Sequence, residues 1–567
     1  MPMSSVMRAT YSLLTALCTL LRFSRAQEEE ARLGGGLPIV DLGYELHQAI
    51  AYNQPDGYYN FSNIRYAAPP VGNLRWRAPQ APKVDRKTVQ KGEKAVTCPN
   101  GPVWWAATAN EFLPAYLSGA PYNPTPRPPP TDEELTQQLP SATEDCLFLD
   151  VFAPKKVFDK AGRAPGAPVI VWLHGGGFAA ASKTEGVWPS GLLKRAAENS
   201  DDSLILVSIN YRIGVFGFLG GPTLQKDGIG NAGLYDQRFA LEWVQANIKK
   251  FGGNPDRVTV MGNSAGGGSI LHQITAYGGK PPRKTPFQKA IIQSPGFLPQ
   301  PSPQLQQEVF DQFLSVANVK SLKEARALDS QALIRANSLQ IGRFALYGLF
   351  IYGPTVDGVF APALPGQLLA SGRFDKSVQV MTGHNSLEGL IFTDPAIQDS
   401  NAFAAYLRRT FPKLPQASFD KITNELYPPI FDGSRGYTDQ TGRVSLFIAE
   451  MTFVCNTYFV HPALHNDTHA YRFSVFPGVH AADLSYTFYR DEGESAAVTN
   501  ATVARALQSF ETSFAQTGTP RWSGLPQGFP KYGPDAQIID LTQDRIYQTR
   551  DDAANERCVW WQKGLVA

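Results

Sequence analysis

The sequence predicts an α/β fold in which a mostly parallel central sheet is flanked by helices. Short apolar runs rich in β-branched residues alternate along the chain with longer stretches of helical spacing. Several of those runs end in glycine, where a parallel strand would turn into its next element. No internal repeat or linker-like stretch divides the chain, so residues 27–567 read as one domain.

Residues 1–26 stand apart. Arg8 precedes the apolar run YSLLTALCTLL, and Ser24 and Ala26 form a small-x-small cleavage pattern, so the segment reads as a signal peptide ahead of Gln27. The run is too short to span a bilayer comfortably, and no later segment reads as long enough. Once Cys18 leaves with the signal, Cys98, Cys146, Cys455 and Cys558 remain, an even set that permits three pairings. Asn60, Asn466 and Asn500 each open an N-x-S/T sequon, as candidates for N-glycosylation in a secreted protein. The 567 residues are 43% hydrophobic and 18% charged, with net charge +2 and no long basic run. That balance argues against nucleic acid or an anionic membrane as partner.

Between Cys98 and Cys146, NPTPRPPPTDEE marks a loop, because proline removes donors and fixes φ. Such a segment suits a lid or rim as well as a decorated surface. APVIVWL and SLILVSI read as strands. Leu234, Phe239, Leu241, Trp243, Val244 and Ile248 are then spaced as a helix that closes on glycine. DRVTVMG returns to a strand, and GGGSILHQITAY reads as a helix despite its glycines. FQKAIIQSPG, SVQVMTGHN and AYRFSVF are further strands.

Gly262-Asn263-Ser264-Ala265-Gly266 lies at such a strand end. A serine hydroxyl is a weak nucleophile until a base takes its proton and the backbone presents it. G-x-S-x-G on a sharp strand-to-helix turn does the presenting, and the Ala265 amide then faces a developing oxyanion. A second glycine-rich end, His174-Gly175-Gly176-Gly177-Phe178, lets main-chain N–H groups converge on a carbonyl oxygen. It lacks the G-K-S/T of a phosphate loop.

The base must come from eight histidines. His174 belongs to the glycine loop, His47 lies near the N-terminus, and His272 reads as a packed helix residue. His461, His465 and His469 have a four-residue spacing, but no carboxylate or thiol pattern completes a metal site, and they read as solvated surface. His480 follows a strand in a loop, where α/β sheets place reactive groups. The orienting acid should fall between serine and histidine in the chain. Glu388 after SVQVMTG fits, Asp357 in PTVDG is its rival, and His384 breaks the order.

Together these motifs resemble the type-B carboxylesterases, the cholinesterase-like and secreted fungal lipase group of the α/β-hydrolases. The resemblance runs from FSNIRYAAPPVGNLRWRAP through EDCLFLDVFAP, HGGGF, NYRIGVFGFL, the GNSAGG segment and GHNSLEG to ERCVWWQKGL. It implies an α/β-hydrolase fold, Ser264 as nucleophile, Glu388 as acid, His480 as base, and the amides of Gly176, Gly177 and Ala265 as oxyanion donors. It further implies the pairings Cys98 with Cys146 and Cys455 with Cys558, an ion pair of Arg75 with Glu144, and chemistry that needs no metal or cofactor. Two departures stand out. Asn263 replaces the glutamate common before the nucleophile, and no tryptophan precedes Cys146 at the choline-binding spacing, although Trp104 and Trp105 lie near the start of that loop. The implied activity is two-step hydrolysis of small-molecule or lipid esters, uncharged rather than choline esters. A triacylglycerol lipase, or an esterase or transesterase of a secondary-metabolite pathway, has the same machinery. A non-catalytic binding relative would lack part of the triad.

Overall fold

The computed structural model describes residues 36–123, 130–280, 284–299, 302–491 and 497–565. The signal peptide read at residues 1–26, and the mature start at Gln27, lie outside them. An eleven-stranded sheet forms the frame. In chain order its strands are β1 (Ala51–Asn53), β2 (Tyr58–Arg65), β3 (Phe148–Pro154), β4 (Ala167–Leu173), β5 (Ile205–Ile209), β6 (Gly253–Asn263), β7 (Lys289–Gln293), β8 (Gln379–Asn385), β9 (His469–Phe473), β10 (Gln537–Leu541) and β11 (Ile546–Arg550). In space they run β11-β10-β9-β8-β7-β6-β4-β5-β3-β2-β1. The stretch from β10 to β5 is parallel throughout, and the pairings outside it are antiparallel. Three short strands near the N-terminus form a separate sheet.

The central strands are apolar on both faces because helices cover both faces. Every residue of β4 is buried, as is every residue of β5 and β7. Registers then align the strand ends. Leu173 pairs with Gly262, Gln293 with Asn263 and Gly383, and Asn385 with Phe473. Since these strands are parallel, the residues that follow their C-terminal ends collect along one edge of the sheet.

The helix Ala265–Ile274 tolerates Gly266, Gly267 and Gly268 because strand ends press against it. A Cβ on Gly266 would lie 2.0 Å from the Leu173 carbonyl oxygen, and one on Gly267 2.6 Å from that of Gln293. The helix Ala232–Asn247 continues as a 3-10 turn to Phe251 and stops at left-handed Gly252, as its spacing predicts.

Two disulfides join Cys98 to Cys146 and Cys455 to Cys558, the pairings the resemblance implies. The buried Arg75 guanidinium donates to Glu144 at 2.8 and 2.5 Å and also to two backbone carbonyls. The segment read as a loop between Cys98 and Cys146 includes a helix, Ala106–Leu117, which buries Ala109, Phe112 and Leu113. Pro114 sits inside that helix, so proline was a poor guide to its boundary. By length and composition alone, one later segment passes for a membrane span. The 24-residue helical run Gln440–Ala463 is long and apolar enough, but its apolar window is 78% buried within the fold, as befits a core helix.

Candidate active site

Ser264 interrupts β6 and the helix after it with φ 56° and ψ −122°, a region that L-residues rarely occupy. That turn lifts its side chain off the sheet edge. The Ser264 N–H donates to the Gln293 carbonyl at 3.0 Å, and its own carbonyl accepts from Gly268 and Gly296. The strained residue is therefore clamped from both sides.

Nε2 of His480 lies 2.8 Å from Ser264 Oγ, and Nδ1 lies 2.5 Å from Glu388 Oε2. His480 reaches this position because the loop after β9 turns back beside the loop after β8, where Leu387 bridges to Val479. The aromatic rings of Phe453 and Phe392 pack on the imidazole, with centroids 4.2 and 5.1 Å away. Phe453 comes from Glu450–Val454, a π-helical turn, the kind of bulge that re-aims side chains at functional sites. Bidentate hydrogen bonds from Arg557 to buried Glu450 fix that turn.

Glu388 is fully buried. Its Oε1 accepts from the Asn385 amide N–H and from Ser294 Oγ, both at 2.6 Å. Burial alone would push its carboxyl up, but the His480 charge and hydrogen bond, with those of Asn385 and Ser294, hold it below the usual value. Asp357, the rival acid, is committed elsewhere. Its oxygens accept from Asn231 Nδ2 and from the amides of Val359 and Ala361, and burial raises its carboxyl.

The glycine loop after β4 lies against the nucleophile, since a Cβ on Gly175 would stand 3.0 Å from Ser264 Cβ. Gly176 and Gly177 take φ of 90° and 60°, open to glycine without strain. No backbone carbonyl among the described residues accepts from the amides of Gly176, Gly177 or Ala265. His174 is stacked on Tyr211 at 4.3 Å, and Tyr211 donates to its carbonyl at 2.7 Å. Burial pulls the His174 imidazole down to about 4, so it is a neutral prop for the loop.

The other histidines are not brought to Ser264. His272 is buried in its helix against Phe297, as its sequence position suggests. His47 bridges Glu45 and the Ser62 carbonyl. His384 faces Asp552 across 3.6 Å. The solvated-surface reading holds for His465 but fails for its neighbours. His461 is 0% exposed and stacked on Tyr532, and His469 is 2% exposed with Nδ1 on the Pro530 carbonyl. The spacing hid this because His461 ends a core helix and His469 opens a core strand. Of the three sequons, Asn60 must be withdrawn. It lies inside β2, 7% exposed, where no glycan fits. Asn500 caps the helix Ala501–Thr517 and donates Nδ2 to the Gln543 carbonyl, whereas Asn466 is a partly exposed turn residue with φ 59°.

A cavity of about 330 Å³ opens at Ser264. Phe178, Phe218, Phe297, Phe350, Phe392 and Phe453 form much of its wall. Trp105 stands behind Phe350 and Phe392, held by a hydrogen bond from Nε1 to the Leu349 carbonyl. Sequence reading missed Ser294, Asn385, Phe392 and Phe453. Only the QSPG and GHNSLEG strand ends hinted at the first two.

The model of the carboxylesterase family matches residues 47–561. The chain is 38% identical to carboxylesterase patB of Penicillium expansum over 94% of its own length and 97% of that relative. It is 32% identical to lipase 1 of Geotrichum candidum over 77% of its length and 81% of that enzyme. Among solved structures it superposes on Aspergillus niger EstA with a TM-score of 0.76 and 25% identity, covering 93% of this chain and 98% of the other. The architecture is the α/β-hydrolase fold of these esterases.

Proposed function

The chain belongs to the carboxylesterase family and is a type-B carboxylesterase, and from that premise we propose that it hydrolyses uncharged esters through Ser264, His480 and Glu388. His480 Nε2 removes the Ser264 proton as Oγ attacks the ester carbonyl. Glu388, ionised and hydrogen-bonded to Nδ1, fixes the tautomer and stabilises the imidazolium. The amides of Gly176, Gly177 and Ala265 receive the oxyanion, each such donor contributing about 10²- to 10³-fold. The imidazolium returns its proton to the leaving alkoxide, and water releases the acyl group by the same route in reverse. The observation that carries this reading is the continuous line from Ser264 Oγ through His480 to Glu388, at 2.8 and 2.5 Å.

A fluorophosphonate should label Ser264, and Ser264→Ala should lose about 10⁶-fold in kcat. Labelling at another residue, with full activity in the alanine variant, sinks the assignment. Hydrolysis of soluble short-chain esters but not emulsified triglycerides distinguishes an esterase from a lipase. We further assign the protein to the secretory pathway, on the apolar run before Ser24 and Ala26 and on its two disulfides. Protein recovered from the medium should begin at Gln27, with glycan at Asn466 before Asn500.

A further inference from the structure

Behind Glu388 lies a web of buried polar groups that the hydrolytic steps do not use. Asn385 reaches two carboxyls at once. Its amide N–H donates to Glu388 Oε1 at 2.6 Å, and its Nδ2 lies 3.2 Å from Asp483 Oδ1. The other Asp483 oxygen accepts from Tyr471 OH at 2.9 Å, and Tyr471 accepts from Gln293 Nε2 at 2.9 Å. Gln293 Nε2 also reaches Thr487 Oγ1 and Glu511 Oε1, at 3.0 and 3.1 Å. Glu388, Asp483 and Glu511 are all 0% exposed. No lysine or arginine is among their hydrogen-bond or ion-pair partners in the described residues. Three carboxyls thus stand in one buried network, in which only Glu388 hydrogen-bonds an imidazole, in a space that supports few bare charges.

We propose that Asp483 is a positioning residue of this site, holding Glu388 and His480 through Asn385 and setting the charge behind the Glu388–His480 pair. The inference rests on the Ser264–His480–Glu388 reading. The groups that face Asp483 come from every side. They are Glu388 and Asn385 after and within β8, Tyr471 in β9, His480 in its own loop and Glu511 on the helix Ala501–Thr517; His384 in β8 faces Glu388 in turn. Burial and the Glu388 carboxylate push the Asp483 carboxyl up to about 6, and burial pushes Glu511 well above its usual value. Below that point Asp483 is neutral, and Glu388 alone faces the imidazole. Above it, Asp483 adds a second negative charge on the side of Glu388 away from Ser264.

The test compares wild type, Asp483→Asn and Asp483→Ala in the pH profile of kcat/KM for an uncharged p-nitrophenyl ester. Active sites are counted by fluorophosphonate titration, so that misfolded protein drops out. Asp483→Asn cannot ionise, and the midpoint of its acid limb should fall by about half to one pH unit. Asp483→Ala frees Asn385 and should lower kcat per titrated site by about tenfold to a hundredfold, with KM within about twofold. Acid limbs that superpose, or wild-type kcat in the alanine variant, overturn the proposal. Loss of activity that tracks only the loss of titratable sites does so too. If wild-type Ser264 fails to label, the triad reading has failed instead.

Discussion

Asp357 and Glu388 are acidic residues with the same intrinsic chemistry, and only their neighbours separate them. Glu388 holds the imidazole, while Asp357 ties Asn231 to a turn. Glu388→Gln should therefore cost about 10²- to 10⁴-fold in kcat with the fold intact, because the amide disturbs the imidazole tautomer. Asp357→Asn should leave kcat within about threefold; steady-state kinetics on both variants checks the pair, and the reverse order would displace Glu388 as the acid. Chain order alone left both open, since what distinguishes them is three-dimensional. The same holds for Glu511, whose burial nothing in SFETSFAQ announces. Its folded carboxyl is raised above the unfolded value, so the folded state binds the extra proton and stability falls as pH rises above the unfolded value. Glu511→Gln removes that loss. Its melting temperature should match wild type near pH 4 and exceed it increasingly towards pH 8, and a constant offset would show that Glu511 is not held neutral.

Elements were legible where burial is one-sided in composition. β4 is apolar throughout, β5 and β7 are buried along their whole length around apolar centres, and the helix Ala232–Asn247 shows its period plainly. β1, β2, β3, β10 and β11 went unread: all take part in the antiparallel pairings at the two sides of the sheet, and β1, β10 and β11 are also short and of mixed composition. Ala106–Leu117 went unread because prolines elsewhere in the segment dominated its composition. The glycines of Ala265–Ile274 look like breakers, yet the sheet requires them. Gly266→Ala would drive a methyl into the Leu173 carbonyl, 2.0 Å from the built Cβ, and neither backbone can yield. A loss of about 1–3 kcal/mol or more is expected in urea denaturation, and a variant as stable as wild type would mean that the helix can slide. The disulfides act on a larger element. Cys455–Cys558 spans 103 residues of chain, which in the chain-entropy model stabilises by about 4 to 5 kcal/mol. Removing both cysteines by serine substitution should lower the urea midpoint accordingly, and an unchanged midpoint would deny the cross-link a stabilising part.

At the scale of the whole molecule, the covered sheet leaves one apolar cavity at Ser264, and its charge decides what enters. Among the described residues, the two charged side chains lining it, Glu308 and Arg409, are exposed and opposite in sign. Glu388 is spent on His480, and Asn263, 1% exposed, carries only a dipole. A quaternary ammonium entering this space would leave water without a matching carboxylate, at a cost of several kcal/mol. The phenylalanine wall can return part of that through cation–π contact, about 0.5 to 2 kcal/mol. Trp105, which could have supplied a stronger ring, is turned away behind Phe350 and Phe392. The unreturned part exceeds about 1.4 kcal/mol, the equivalent of one power of ten in rate. An uncharged butyrate ester should therefore exceed butyrylcholine at least about tenfold in kcat/KM on one preparation. Adding a carboxylate by Asn263→Glu should narrow the gap. A wild-type preference for butyrylcholine would mean that the aromatic wall alone outweighs the missing charge, and the uncharged-ester assignment would fall with it.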